Sequence, residues 1–154
     1  TRCARVTGVQ TCALPISPED LYRRFVKEKL EDSFLPHSFE EVAKEFLILE
    51  NKAGRIEPPL LGVGSYAYSE KASSGKWVNA EFDVVSKDEK GLSDYECKYR
   101  LTPVGISDLE EGKASLLRSK ISFYRIGFFS RSGFEPSLLE EKNILLYSLE
   151  DLYR

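Results

Sequence analysis

Cysteine is scarce in this chain, and the little there is builds no framework. Of three cysteines, Cys3 and Cys12 lie beside or inside residues 6–16, VTGVQTCALPI, a run that reads as the translation of a sequencing-adapter oligonucleotide. Setting residues 1–16 aside as non-native leaves Cys97 alone, so no disulfide network is available. A lone strand cysteine is a small buried apolar residue, compatible with a reducing cytosol. Histidine is scarcer still: the single His37 has no partner near it in sequence and reads as a turn or packing residue. Long apolar runs are missing too, and none approaches the roughly 20 residues that a membrane-spanning helix needs. Residues 1–16 also fail as a signal peptide, because Thr7, Gln10 and Thr11 interrupt the middle of the segment. Surplus positive charge is the last absence. The formal net charge is −3, and it is more negative still without Arg2 and Arg5. That balance does not advertise a nucleic-acid binder. The expectation is a cytoplasmic protein without membrane contact, whose natural sequence starts near Ser17 after a lost upstream part.

What remains suits one domain of ordinary size. Residues 18–31 place Leu21, Phe25, Val26 and Leu30 at helical spacing behind a proline and two acids, so residues 17–36 read as a linker helix left from the missing region. Residues 37–154 read as the domain itself. There Ser38 is a candidate N-cap, with Glu41 three residues on completing a capping box, and Phe39, Val42, Ala43, Phe46 and Leu47 form one apolar stripe. Glu40 lies in the row of Ala43 and Leu47, at the edge of that stripe. A glycine-weakened strand is expected over 61–68, then a polar loop over 69–76. The loop is not a phosphate loop, since Trp77 follows Lys76 where Ser or Thr is needed. Ser107 can cap a helix carrying Leu109, Leu116 and Leu117, although Gly112 weakens its middle. Strands over 122–130 and 143–148 follow, with a short helical piece between them and a helical turn at the end. The order is helix, three strands, helix, strand, helical turn, strand, a mixed α/β sheet with one crossover helix.

The chemistry concentrates in residues 81–98, EFDVVSKDEKGLSDYECK. Phe82 and Val84 alternate with Glu81 and Asp83, while Tyr95 and Cys97 alternate with Glu96 and Lys98, which is the signature of a hairpin with two unlike faces. A turn at Asp88–Gly91 sets Asp83 opposite Glu96 and Glu81 opposite Lys98, all four on one face. A one-residue slip would bring Tyr95 and Cys97 onto the acidic face, so the hydrophobic pattern selects this register. Opposed Cβ atoms lie about 4.5–5.5 Å apart, close enough for two carboxylates to share a divalent cation. A lysine beside them can stabilise developing negative charge. Taken alone, the same four residues also describe a solvated sheet face with cross-strand ion pairs.

The succession FEEVAKEFL, EFDVV, ECK, VGISDL, FFSRSGF and LLYSLEDL resembles the C-terminal domain of archaeal-type P-loop ATPases, a domain of unknown function similar to the PD-(D/E)xK nuclease superfamily. The resemblance implies a restriction-endonuclease-like α/β fold: an αβββαβ core plus a C-terminal strand. It implies that Asp83 and Glu96 hold Mg²⁺, with Cys97 contributing through its backbone carbonyl. Lys98 is then the lysine that assists the nucleophile, and Glu40 the acid on the first helix. The implied function is Mg²⁺-dependent phosphodiester hydrolysis on DNA, with ATP bound only in the missing upstream ATPase region. The alternative is a non-catalytic regulatory or interaction module of such an ATPase, partnered by that upstream domain. Lys113, Arg118, Lys120, Arg125 and Arg131 supply a DNA-binding surface only if the fold gathers them. The ATPase and winged-helix modules of the parent family are not in this sequence. Only Tyr66 and Tyr68 stand for the family's aromatic pair before the acidic strand.

Overall fold

The structure is a computed structural model that describes residues 5–6, 9–10, 17–71, 75, 77–119 and 121–153. The chain divides into two compact units, residues 1–35 and 36–154. Within the first, Arg5–Val6 pairs antiparallel with Val9–Gln10. The rest of the adapter-like run lies outside the described residues. Residues 18–34 are helical throughout, α turns at Pro18–Leu21 and Lys27–Lys29 alternating with π turns at Tyr22–Val26 and Leu30–Phe34. Ser17 caps the start by accepting from the Asp20 backbone N–H at 3.0 Å. Leu21, Tyr22, Val26 and Phe34 are exposed.

The second unit holds the sheet. Its elements are α1 (Leu35–Lys52, whose first residue belongs to the other unit), β1 (Gly62–Lys71), β2 (Trp77–Lys87), β3 (Leu92–Lys98), α2 (Ile106–Ser119), β4 (Phe123–Ser130), α3 (Pro136–Leu139) and β5 (Ile144–Ser148). The strands lie in the order β1-β2-β3-β4-β5. The first three form an antiparallel meander, whereas β3–β4 and β4–β5 are parallel. A parallel pair requires a crossover; α2 makes the first, and the loop carrying α3 makes the second. This is a mixed α/β sheet with flanking helices, in the expected element order and consistent with a restriction-endonuclease-like fold.

Two apolar layers cover the sheet. On one face Phe39, Ala43 and Leu47 of α1 pack with Val84, Tyr95 and Phe129. Phe129 stacks on Tyr147 with ring centroids 4.9 Å apart, and Phe46 meets both rings edge-on. On the other face Leu109 of α2 packs with Ile126, Phe128, Val104 and Leu138. Side chains of registered partners in a parallel ladder share a face, and Asp94 is registered with Ile126 and Glu96 with Phe128. Asp94 and Glu96 therefore belong to the α2 face. Gly112 explains itself here, because a Cβ at that position would sit 2.8 Å from Ile126 Cδ1 and 3.3 Å from Glu96 Oε1. The glycine that weakens the helix on propensity lets α2 approach the sheet directly over Glu96.

Three expectations are corrected. The helix begins at Leu35, so Ser38 lies inside its first turn and caps nothing, while Glu41 pairs with Lys44 at 2.8 Å. Val42 is 44% exposed and drops out of the expected stripe. The second correction concerns α2, which starts at Ile106, one residue before the expected Ser107 cap; the buried Asp108 accepts from the Gly105 N–H at 2.9 Å instead. The third concerns the hairpin and belongs to the site.

Candidate functional site

The hairpin register is as the alternation requires: Lys87 faces Leu92, Ser86 faces Ser93, Val85 faces Asp94 and Val84 faces Tyr95. One further step would place Asp83 opposite Glu96, but the ladder stops at Val84–Tyr95. Beyond it β2 pairs with β1 alone, and the register between those two shifts between Gly64 and Tyr66, so that Asp83 and Val84 together face Ser65. A bulge of this kind bends the strand that carries it and re-aims its side chains. Glu81 is consequently registered with Ala67 on β1 and is exposed. The expected pairing of Glu81 with Lys98 is not made.

Asp83 fills the gap where the strands part. Its Oδ2 accepts from the Cys97 backbone N–H at 2.8 Å, taking the place of a ladder bond. Lys98 Nζ meets Glu96 Oε2 at 2.5 Å, with about a quarter of each side chain exposed. Burial works to lower the Lys98 pKa, but the bond to Glu96 and the charges of Glu96, Asp83 and Asp108 outweigh it and raise it. Glu40 approaches from α1. Its pKa is raised, first by burial and then by the charge of Asp83, against the opposing pull of His37, whose Nδ1 lies 3.2 Å from Glu40 Oε2. Cys97 is a free thiol packed against the α1-side core. Burial, then Asp83 and Glu40, push its pKa up, so the sulfur stays protonated and only the backbone carbonyl is left as a hard oxygen donor. Asp83, Glu96, Lys98 and Glu40 are thus brought into one electrostatic neighbourhood.

Sequence reading passed over one acid. Asp94 is 1% exposed, and neither of its carboxylate oxygens has a hydrogen-bond partner. Its pKa is raised to about 7, by burial first and then by the charges of Glu96 and Asp83; the adjoining Tyr95 N–H and the charge of Lys98 pull weakly the other way. The available signal was the spacing Asp94-x-Glu96-x-Lys98 on one strand face, with the apolar Val85 opposite Asp94. Ser93 Oγ and Arg125 Nε are likewise buried without partners.

Beside the acids, Arg100 bonds Asp108 at 2.6 Å and the Pro103 carbonyl at 3.2 Å, which ties the end of β3 to the start of α2. Arg131 lies over the Tyr99 ring at 4.5 Å, and its backbone N–H donates to the Lys98 carbonyl. Arg100 and Arg131 thus join Lys98 at this end, with Lys44 near Glu40 on α1. Arg125 is held by Asp88 near the hairpin turn, Lys113 and Arg118 are exposed on α2, and Lys120 lies outside the described residues. The condition that the fold gather these residues is not met among the described ones: Arg125 is held by Asp88 near the hairpin turn, and Arg131 lies against Tyr99 at the other end of β4.

The oxygen donors suit a hard cation, since Mg²⁺ is commonly held by one or two carboxylates and keeps several waters. Among the described residues no three His, Cys, Asp or Glu side chains converge on one metal-sized point. By the chemistry of the donor set, two carboxylates and a backbone carbonyl are the oxygen ligands such an ion takes without a dedicated cage. A cleft of about 260 Å³ lies elsewhere, lined by Val42, Phe46, Leu49 and Leu152 with Glu45 and Glu50. It carries none of this chemistry. Among the described residues no helix is long and apolar enough to cross a membrane.

Comparison with known proteins finds a match over residues 11–114 to a family model described as "Archaea bacterial proteins of unknown function". No curated protein matches the chain. A solved structure, that of the protein of unknown function AF1548, aligns with 14% identity and a TM-score of 0.44, covering 72% of this chain. The aligned part spans 64% of that protein's chain.

Proposed function

The chain belongs to the DUF234 family of archaea bacterial proteins, and on the geometry above we propose that its Asp83–Glu96–Lys98 centre holds Mg²⁺ and hydrolyses phosphodiester bonds in DNA. The observation that carries this reading is Asp83 at the parting of β2 and β3, fixed on the Cys97 N–H beside the Glu96–Lys98 pair. A structural ion pair needs no such gap. Bound there, Mg²⁺ would act as a Lewis acid and offset the charge gathering on the phosphate. Asp83 and Glu96 supply the carboxylates, and Glu40 adds negative charge from α1. Lys98, kept protonated by its neighbours, orients the attacking water and stabilises the phosphate oxygens through charge. Water attacks phosphorus and gives up one proton to solvent, one P–O ester bond breaks, and the leaving oxygen takes a proton from solvent. Arg100 and Arg131 stand where they can meet the backbone of a nucleic acid.

In the intact protein this centre would belong to a cytoplasmic P-loop ATPase, with the ATP-binding part upstream. The second reading, a non-catalytic module that contacts such an ATPase, is favoured by Lys98 being closed onto Glu96 and by the acidic net charge. Incubating the chain with single- and double-stranded DNA and Mg²⁺ or Mn²⁺ separates the two. Cleavage that disappears in Asp83→Ala supports the hydrolase. No cleavage, together with no cation-induced rise in melting temperature, leaves the interaction module.

A further inference from the structure

Hydrogen bonding accounts for most of the buried acid in this domain, and Asp94 is where the accounting fails. Buried polar side chains are overwhelmingly satisfied, and one left bare needs a reason. Asp94 is enclosed to 99% by its relative exposure of 1%, both oxygens lack a partner, and among the described residues no cation bonds it: Lys98, two positions beyond Glu96 on the same face, is bonded to Glu96. Its surroundings make matters worse. Ile126, registered beside it on β4, belongs to the apolar layer under α2, and the nearest like charges are those of Glu96 and Asp83. A carboxylate costs least in such a place when it is absent, so its retention points to an occupant that the chain itself does not supply.

We propose that Asp94 supports the divalent-cation centre from behind without ligating the ion, a positioning residue whose buried acid is compensated only when Asp83 and Glu96 hold the ion. This rests on the cation reading above and deepens it. The alternation of β3 puts Asp94 and Glu96 on one face, two residues apart. Asp94 thus adds its field to that of Glu96 from the buried side, while substrate meets the exposed side. Gly112 lets α2 close over Glu96 on that buried side, since a Cβ there would come within 3.3 Å of Glu96 Oε1. Without the ion, three acidic groups are gathered against one lysine, and ionising the buried one costs the folded chain stability. With the ion, the same charge becomes affinity. Groups that support metal ligands from behind typically change affinity about 10–100-fold when removed.

The prediction has two readouts that a merely structural Asp94 would not move together. In Asp94→Asn, a near-isosteric change, Mn²⁺ titrated calorimetrically into the full chain should bind about tenfold more weakly than to wild type. The ion-free variant should melt at a higher temperature than the ion-free wild type. Asp94→Ser carries the same pair of expectations if the amide disturbs packing. A variant that melts higher but binds Mn²⁺ with wild-type affinity overturns this inference and leaves the cation reading standing. Wild type that binds no Mn²⁺ overturns both.

Discussion

Two buried aspartates sit six residues apart on one hairpin, and they have opposite fates. Asp88, 2% exposed, is saturated. It accepts from the Lys90 and Gly91 backbone N–H groups at 2.8 and 3.2 Å, from Arg125 at 3.1 Å and from the Tyr124 hydroxyl. Burial pushes its pKa up, but these four partners outweigh burial and hold it below the usual value. Asp94, at 1%, has none of this and is pushed up to about 7. The same residue type at the same depth closes a turn in one case and stores unbalanced charge in the other. Burial alone therefore does not distinguish a satisfied acid from an isolated one; the count of its donors does.

The largest effect should come from breaking the satisfied member. Asp88→Ala strands the Arg125 guanidinium and the Tyr124 hydroxyl and removes both turn bonds, so urea unfolding should show a loss of about 3–5 kcal/mol. A loss below about 1 kcal/mol would mean that water replaces those bonds freely.

Stability against pH sharpens the contrast, because the two acids predict slopes of opposite sign. Asp88 ionises more readily folded than unfolded, so its contribution is present above about pH 4 and is lost as the pH falls through its depressed folded value. Asp94 holds its proton more tightly folded than unfolded. Below about pH 4 both states carry that proton and the group costs nothing. Between there and about 7 the unfolded chain ionises first, so stability falls as the pH rises, and the loss is complete above that range. The fall should be on the order of 2–4 kcal/mol in ion-free buffer and should vanish in Asp94→Asn. A flat profile between pH 5 and 8 in wild type would contradict the isolation of Asp94.

A smaller effect is expected at Gly112. Alanine gains about 1 kcal/mol of helix propensity, but its Cβ must displace Ile126 Cδ1 and press on Glu96. The net change should be a loss of about 1 kcal/mol in unfolding free energy, with weaker Mn²⁺ binding as the diagnostic sign. Smallest of all is the exposed pair on α1: Glu41→Gln should leave the urea unfolding midpoint where it is in the wild type, since Glu41 is largely solvated.

Much of this was legible in the chain. Register followed from two unlike faces, because Val84 and Tyr95 could be buried together only if Asp83 came level with Glu96. The crossover helix followed from a helical pattern between strand patterns, and Cys97 facing the core followed from alternation. The bulge at Asp83–Val84 was not legible, since it depends on how β2 meets β1, a pairing that no local pattern encodes; the Glu81–Lys98 pair failed for that reason. Ser38 looked like a cap because Glu41 follows it at capping-box spacing, yet the helix already includes Ser38 and Glu41 pairs with Lys44 instead. Asp94 was in plain view between Ser93 and Tyr95. Only the three-dimensional count of its missing donors sets it apart from any polar strand residue.

The central claim is that Asp83 and Glu96 form a divalent-cation centre where β2 and β3 part. Anomalous diffraction from crystals soaked in MnCl₂ tests it most directly. The account predicts a peak within coordination distance of the Asp83 and Glu96 carboxylates, absent from crystals of Asp83→Ala. A peak only at other surface acids, or none at these two, would contradict it.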